Sequence, residues 1–199
     1  MFTGLIDSIG TVRSLEPQQG GLKLHVLTDY ADLQLGESVA VDGVCLTVAQ
    51  LRERLFVAHA SGETLQHTNF GELQVGQQVH LERAACPTTR LGGHVVTGHV
   101  DGVAVLKHMQ ADAECQHLHL TAPKHLVRFI APKGSVAVNG TSLTVNRVTG
   151  NEFEVMLVPH TLAVTCFGRY TTGQRVNLEI DILAKYVAQL LGKPGVDVS

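Results

Sequence analysis

The sequence predicts an all-β protein in which one small barrel domain occurs twice and is followed by a single α-helix. Three observations support this prediction: a long internal repeat, short runs rich in β-branched residues, and a helical apolar pattern near the end of the chain. Of the three, the repeat determines the architecture of the chain.

The repeat is clearest in two segments that begin at Ser38 and Ser135. They read SVAVDGVCLTV and SVAVNGTSLTV, so eight of their eleven positions are identical. The same spacing continues through Glu82 and Glu179, and both copies open with a Thr-Gly pair followed by an aspartate. The segment CPTTRLGG between the copies is typical of a linker. We therefore predict a first domain at 1–88, a second at 89–182 and a tail at 183–199.

Each copy contains about six short β-branched runs, which favours a small closed barrel. Asp42-Gly43 and Asn139-Gly140 each separate two such runs. These dipeptides predict two-residue hairpin turns, because both central residues of such a turn need positive φ.

The tail has a different pattern. From Ile182 to Leu191 the apolar residues recur at helical spacing on one side, which predicts an amphipathic helix that Gly192 and Pro194 end. The apolar side packs either on its own barrel or in an oligomer interface, and we favour the oligomer.

Composition excludes several classes of protein. The formal net charge is −3 and no basic patch stands out, so nucleic acid is not an expected partner. The N-terminus lacks the features of a signal peptide, and no apolar run is long enough for a membrane span. The four cysteines form no C-x-x-C pair or zinc module. We expect a cytoplasmic protein with free thiols and no metal site.

Two aligned positions suggest chemistry. Cys45 in the first copy corresponds to Ser142 in the second. A thiol becomes a nucleophile when its pKa is lowered, but a lone cysteine in a strand is often a small buried apolar residue. Both interpretations stay open for Cys45.

The segment LGGHVVTGHVDG contains His94 and His99. A strand would place side chains five residues apart on opposite faces, which argues against a metal chelated by the pair. His99 is either a proton carrier near neutral pH or a structural histidine. Asp181, at the start of the predicted helix, is either its N-cap or a carboxylate that points into the second pocket.

These motifs together resemble the riboflavin synthase family. The resemblance rests on MFTGLID, GESVAVDGVCLTV, KGSVAVNGTSLTV, GGHVVTGHVDG and VNLEIDILAKYV, which span the chain to about residue 191. It implies that each half is a six-stranded Greek-key barrel and that the C-terminal helices hold a homotrimer. It also implies an active site between the first barrel of one subunit and the second barrel of its neighbour.

The family converts two molecules of 6,7-dimethyl-8-ribityllumazine into riboflavin and 5-amino-6-(ribitylamino)uracil by transfer of a four-carbon unit. The resemblance implies no metal or redox cofactor, and lumazine synthase is a further possible partner. It implies catalytic roles for His99, Cys45, Ser142, Thr144 and Asp181. It implies substrate contacts for Phe2, Gly4, Ser38, Thr47, Glu63, Thr64, His94, Lys133, Val158 and Thr161. His160 stands where the first copy has Glu63, and this departure puts one substrate contact in doubt.

One alternative comes from a different class of protein. Lumazine proteins share the double barrel, bind one lumazine or flavin as an optical antenna and catalyse nothing. Their second site has typically degenerated, whereas both polar sets are filled in this sequence. We therefore expect the enzyme.

Overall fold

The computed structural model describes residues 1–192, in which the chain forms two β-barrels followed by a helix. The first copy contains β1 (Ser8–Gln18), β2 (Gly21–Leu27), β3 (Ser38–Val41), β4 (Val44–Thr47), β5 (Gln50–Arg52), β6 (Leu55–Ser61), α1 (Gly62–His67), a 3₁₀-helix (Asn69–Glu72) and β7 (Gln78–Arg83).

The second copy repeats this order. It contains β8 (Gly102–Asp112), β9 (Cys115–Thr121), a 3₁₀-helix (Val127–Phe129), β10 (Ser135–Val138), β11 (Thr141–Thr149), β12 (Glu152–Leu157), α2 (Pro159–Val164), a 3₁₀-helix (Phe167–Arg169) and β13 (Arg175–Ile180). Helix α3 (Ile182–Leu190) follows, so the predicted helix is confirmed and ends one residue earlier than expected. Residues 193–199 of the predicted tail lie outside the described residues.

Both sheets have the same strand order, and all their pairs are antiparallel. The second is a closed six-stranded barrel in the order β10-β11-β12-β9-β8-β13, with Greek-key connections. The first has seven strands in the order β4-β3-β7-β1-β2-β6-β5. The additional strand arises because β4 and β5 together take the place of the continuous β11. The break falls at Ala49, whose N–H still donates to the carbonyl of Val57 on β6 (2.8 Å between N and O). The all-β tandem barrel is thus confirmed.

The two predicted hairpin turns are confirmed and have matching geometry. Asp42 and Asn139 both have φ of 43°, and each is followed by a glycine with φ of 79°. Positive φ at both central residues gives the turn a twist that matches its strands. The turns fix the registers of β3 with β4 and of β10 with β11.

Each barrel encloses its own apolar core. Phe56 and Phe70 are buried in the first core, and Phe153 and Phe167 in the second. By contrast, α3 leaves most of its apolar side exposed: Leu183, Tyr186, Val187 and Leu190 are 55–85% exposed. Among residues 1–192, no helix is both long and apolar enough to cross a membrane.

Candidate functional site

The opening segments of the two copies cross between the barrels. Phe2 and Val96 form an antiparallel bridge, in which the Phe2 N–H donates to the Val96 carbonyl (2.7 Å) and the Val96 N–H to the Phe2 carbonyl (3.1 Å). As a result, Gly4 of the first copy lies against the second barrel, and Gly98 of the second copy lies against the first. Each barrel therefore receives part of its polar surface from the other copy.

A buried glutamate holds each opening segment. One carboxylate oxygen of Glu82 accepts the N–H and the hydroxyl of Thr3 (2.6 and 2.7 Å), and the other accepts the Gly4 N–H (3.0 Å). Glu179 binds Thr97 and Gly98 in the same way, with distances of 2.6, 2.7 and 2.9 Å. Burial raises the pKa of both glutamates, and these hydrogen bonds oppose the rise by favouring the carboxylate.

The first polar cluster surrounds Cys45 on β4. The Cys45 N–H donates to the Gly98 carbonyl (2.9 Å), and the exposed His99 follows Gly98 directly in the chain. Thr47 lies two residues further along the same strand face, and Ser38 is its direct partner on β3. This cluster thus offers a thiol, an imidazole and hydroxyl groups at one edge of the first barrel.

The second polar cluster surrounds Ser142 on β11. The Ser142 N–H donates to the Gly4 carbonyl (2.8 Å), and the Ser142 hydroxyl is 2.7 Å from Nδ1 of His94. Thr144 follows on the same strand face, opposite Ser135. His94 is 8% exposed, and burial lowers its pKa, with the charge of Asp181 acting in the opposite direction. The Nε2 atom of His94 has no hydrogen-bond partner in the described part of the chain.

The position of Asp181 in the sequence allowed two interpretations, and the structure confirms the first of them. Its Oδ1 atom accepts the Leu183 N–H (3.0 Å), so it is the N-cap of α3. Its negative charge also opposes the lowering of the His94 pKa, and a role for its carboxylate in the second pocket stays a prediction. The aligned residue in the first copy is Ala84, and the carboxylate is therefore particular to the second barrel.

The close approach of the segments requires glycine. A Cβ atom on Gly98 would lie 2.5 Å from Cβ of Cys45, and one on Gly4 would lie 2.5 Å from Cβ of Ser142. Both glycines also have positive φ, which side chains disfavour. Gly4 thus shapes the second cluster through its backbone.

Lys133, just before β10, has a strained backbone. Its φ is 67°, in the left-handed region, and the aligned residue of the first copy is Gly36 with φ of 82°. Both residues make the same bond, from their N–H to the carbonyl of Val145 or Val48. Strain of this kind is sometimes retained for function, and the substrate contact expected for Lys133 stays a prediction.

The remaining predicted contacts lie on the short helices. Glu63 and Thr64 are in the first turn of α1, where the hydroxyl of Ser61 accepts the Thr64 N–H (3.1 Å). In the second copy Val158 precedes α2 without a side-chain cap, and Thr161 lies in its first turn. His160 and Glu63 are both exposed, so the two helices present different groups to solvent.

Phe2 differs from the other predicted contacts. Its side chain is 2% exposed and packs with Ala40, Val96 and Ala137 between the barrels. The Phe2 side chain therefore supports the crossing segments between the barrels, and a substrate contact for Phe2 stays a prediction.

A groove of about 960 Å³ lies away from these clusters. It is lined by Thr11 and by residues between Asn69 and Gln78 and between Cys166 and Arg175, the same region of each copy. None of the residues predicted from the sequence lines it. Within residues 1–192, no group of three or more histidine, cysteine or acidic side chains is arranged to hold a metal ion.

The sequence alone did not single out the glutamates that hold the opening segments. Glu82 and Glu179 were visible as repeated residues, as were the two Thr-Gly pairs, but nothing local connected them. A charged residue repeated within an apolar strand is the signal that could have identified them, since a buried carboxylate needs hydrogen-bond partners.

Comparisons with known proteins agree with this arrangement. The lumazine binding domain model matches residues 3–84 and 97–181. Riboflavin synthase of Brucella abortus is 44% identical over 197 residues, covering 96% of this chain and 98% of the relative. The Photobacterium phosphoreum enzyme is 42% identical, covering 96% and 89%, and the Bacillus subtilis enzyme is 35% identical, covering 97% and 91%.

Solved structures support the fold. LumP in complex with riboflavin has a TM-score of 0.85 at 22% identity, and LumP in complex with 6,7-dimethyl-8-(1'-D-ribityl) lumazine has 0.83 at 21%. Each comparison covers 90% of this chain and 99% of LumP. With two matched lumazine-binding domains and full-length relatives of one activity, the chain belongs to the riboflavin synthase family.

Proposed function

We propose that this protein is a riboflavin synthase that converts two molecules of 6,7-dimethyl-8-ribityllumazine into riboflavin and 5-amino-6-(ribitylamino)uracil. The observation that carries the proposal is the presence of two related but unequal polar clusters, one around Cys45 and one around Ser142. A reaction between two copies of one substrate needs two similar binding surfaces. It also needs a difference between them, because one copy loses the four carbons that the other gains.

The chemistry fits these side chains. Removal of a proton from a methyl group of the lumazine leaves an anion spread over the ring, which hydrogen-bond donors at the ring oxygens stabilise. Ser142 and Thr144 supply such donors in the second barrel, where His94 and Asp181 lie close enough to influence proton movement. His99 and Cys45 face the other substrate. Holding two flat rings face to face supplies much of the remaining rate through proximity and orientation.

We also propose that a neighbouring copy completes each site. Both clusters reach the surface of the chain, with Cys45 and Ser142 half-buried and Thr47 and Thr144 exposed. In addition, α3 exposes a row of apolar residues beside Asp181. Burying this row against other copies of α3 would hold a homotrimer and bring the first barrel of one copy to the second barrel of the next. A cytoplasmic location suits the four free cysteines, and lumazine synthase, the source of the substrate, is a candidate partner.

A non-catalytic lumazine-binding antenna is the second candidate, because the solved structures with the same fold are LumP complexes with lumazine and riboflavin. The two candidates differ in stoichiometry and turnover. The antenna binds one ligand and leaves it unchanged, whereas the enzyme binds two substrates and releases two products.

The deciding experiment mixes the purified protein with 6,7-dimethyl-8-ribityllumazine and no other reactant. We expect riboflavin fluorescence to appear, with one riboflavin formed for every two substrates consumed. The atoms of two substrates equal those of the two products, so no oxidant is required. Tight binding of one ligand per chain without riboflavin formation would instead establish the antenna.

The trimer is tested by replacing the exposed Leu190 with glutamate. Charges placed on the apolar side of α3 would have to be buried at the interface, so we expect monomers by sedimentation and riboflavin formation lowered at least tenfold. Gln189→Glu, on the polar side of the same helix, is the matched control and is expected to stay trimeric. A trimeric and fully active Leu190→Glu protein would exclude α3 from the interface.

A further inference from the structure

A hydrogen-bond network joins the two barrels at the hairpin turns that precede Cys45 and Ser142. The turns touch through their glycines: a Cβ atom on Gly43 would lie 2.5 Å from the Gly140 nitrogen. Asp42 and Asn139, the first central residues of the two turns, are 2% and 1% exposed. The contact between the barrels, which we call the seam, is therefore polar and buried at this point.

His80 on β7 crosses the seam in one direction. Its Nδ1 atom lies 2.9 Å from the Asn139 carbonyl, and its Nε2 atom lies 2.8 Å from the Cys166 N–H of the second copy. A carbonyl only accepts and a backbone N–H only donates. The ring must therefore carry its proton on Nδ1 and keep a lone pair on Nε2, which makes it neutral.

Asn177 on β13 crosses between the barrels in the opposite direction and makes the same pattern of hydrogen bonds. Its Nδ2 atom donates to the Asp42 carbonyl (2.9 Å), and its Oδ1 atom accepts the Asn69 N–H of the first copy (2.8 Å). His80 and Asn177 are aligned residues of the repeat. A histidine and an asparagine thus make the same pair of bonds, one donated to a turn carbonyl and one accepted from a backbone N–H.

The backbone of these residues closes the network. The His80 N–H donates to Oδ1 of Asp42 (2.8 Å), and the Asn177 N–H donates to Oδ1 of Asn139 (2.6 Å). In each turn, the side chain of Asp42 or Asn139 thus accepts a hydrogen bond from its own barrel. The backbone carbonyl of the same residue accepts a hydrogen bond from the other barrel. Cys45 and Ser142 follow these turns by three residues, so a shift at the seam is transmitted to both clusters.

We propose that His80 and Asn177 are a pair of positioning residues, which hold the strands of Cys45 and Ser142 in fixed relation, and that His80 does so only as the neutral ring. The proposal rests on the proposed function for its effect on activity, but its structural part is independent of that function. A second proton on Nε2 would place two donors against each other at Cys166 and open one side of the seam.

Of His80 and the titratable groups that face it, His80 is the one whose protonation at low pH would disrupt the network. Asp42 packs against it from the β3–β4 turn, with Oδ1 at 3.9 Å from Nδ1, and burial raises the pKa of Asp42 to about 7. Cys166 and Tyr170 face it from the second copy. Burial raises the pKa of the Cys166 thiol to about 11 and the pKa of the Tyr170 phenol well above its ordinary value. Burial lowers the pKa of His80 to about 4.

The pKa shifts of His80 and Asp42 predict opposite dependences of folding stability on pH. The folded state resists protonation of His80, so stability is lost as the pH falls from the ordinary histidine value near 6.5 to about 4. The folded state also resists ionisation of Asp42, so stability is lost as the pH rises from the ordinary aspartate value near 3.8 to about 7. Variants at the two positions are needed to separate these overlapping effects.

The test compares His80→Asn with His80→Ala in the Asp42→Asn background, which removes the second titration. Asparagine restores the bonding pattern that Asn177 already makes at the aligned position. We expect His80→Asn to unfold at nearly the temperature of its parent at pH 7.5, and His80→Ala to unfold lower by about 5 °C or more. Between pH 6.5 and 4.5 the parent should lose thermal stability, whereas His80→Asn should lose much less.

Riboflavin formation is measured on the same proteins at a temperature where all are folded. We expect His80→Asn within about twofold of its parent and His80→Ala reduced about fivefold or more. An alanine variant equal to its parent in both measurements would overturn the positioning role. An asparagine variant with the same acid loss as the parent would overturn the requirement for a neutral ring. Absence of riboflavin in the unsubstituted protein would reject the proposed function, and the unfolding data would still decide the seam.

Discussion

The two barrels share their framework and differ in their polar clusters. In both, a buried glutamate holds the opening segment of its own copy, and a turn with positive φ starts the strand that carries Cys45 or Ser142. The differences fall at the barrel edges, where the second copy has a serine bonded to a buried histidine, a strained lysine and an aspartate. The first copy has a thiol, a glycine and an alanine at the aligned positions. We therefore propose that proton transfer takes place in the second barrel.

The largest expected effect tests whether the frameworks are equivalent. Glu82→Ala and Glu179→Ala each leave two backbone N–H groups and a threonine hydroxyl without their acceptor. Each should lower the free energy of unfolding by about 3–5 kcal/mol, measured by urea denaturation. Glu82→Gln and Glu179→Gln are milder controls that keep one acceptor oxygen. A difference of more than about 2 kcal/mol between the two alanine variants would show that the barrels rely on their opening segments unequally.

The next effect tests the division of roles between the clusters. Ser142→Ala removes the hydroxyl that bonds to Nδ1 of His94, and we expect riboflavin formation to fall about ten- to a hundredfold. Cys45→Ser gives the first barrel the residue of its counterpart and should lower the rate less than about tenfold. Steady-state rates at saturating lumazine measure both. If the cysteine variant were the more damaged of the two, the first barrel would be the chemically active one.

The smallest effect concerns stability and has the opposite sign. Lys133→Gly relieves a backbone held at positive φ and should raise the free energy of unfolding by about 1 kcal/mol, while riboflavin formation falls as the side chain is lost. Glu53→Gly relieves similar strain, at φ of 52°, in a turn away from both clusters. It should stabilise the protein without loss of activity. A Lys133→Gly protein with full activity would leave the strain at this position without a functional explanation.

The fold was largely predictable from the sequence, because the signals that determine it are local or repeated. The hairpin turns are predicted by backbone preference alone, at Asp42-Gly43 and at Asn139-Gly140. The repeat supports both predictions, because the two dipeptides lie at aligned positions. The break that separates β4 from β5 was not predictable, since it depends on pairing with β6 across the barrel.

The clusters were predictable only in part. Cys45 and Ser142 were recognisable as aligned positions, but the neighbours of each come from the other copy through the pairing of Phe2 with Val96. His94 meets Ser142 across 48 residues of sequence, and His80 meets Cys166 across 86. Such contacts depend on how two finished barrels are placed against each other, which periodicity and turn chemistry do not encode.

The crossing of the opening segments also makes the two copies inseparable. A first barrel on its own would keep Gly4 without Ser142 beneath it, and Cys45 would lose the Gly98 carbonyl that its N–H binds. After the duplication, each half thus came to depend on a strip of chain that the other half carries. The two barrels therefore complete each other's polar clusters, and a change in the opening segment of one copy also changes the cluster of the other.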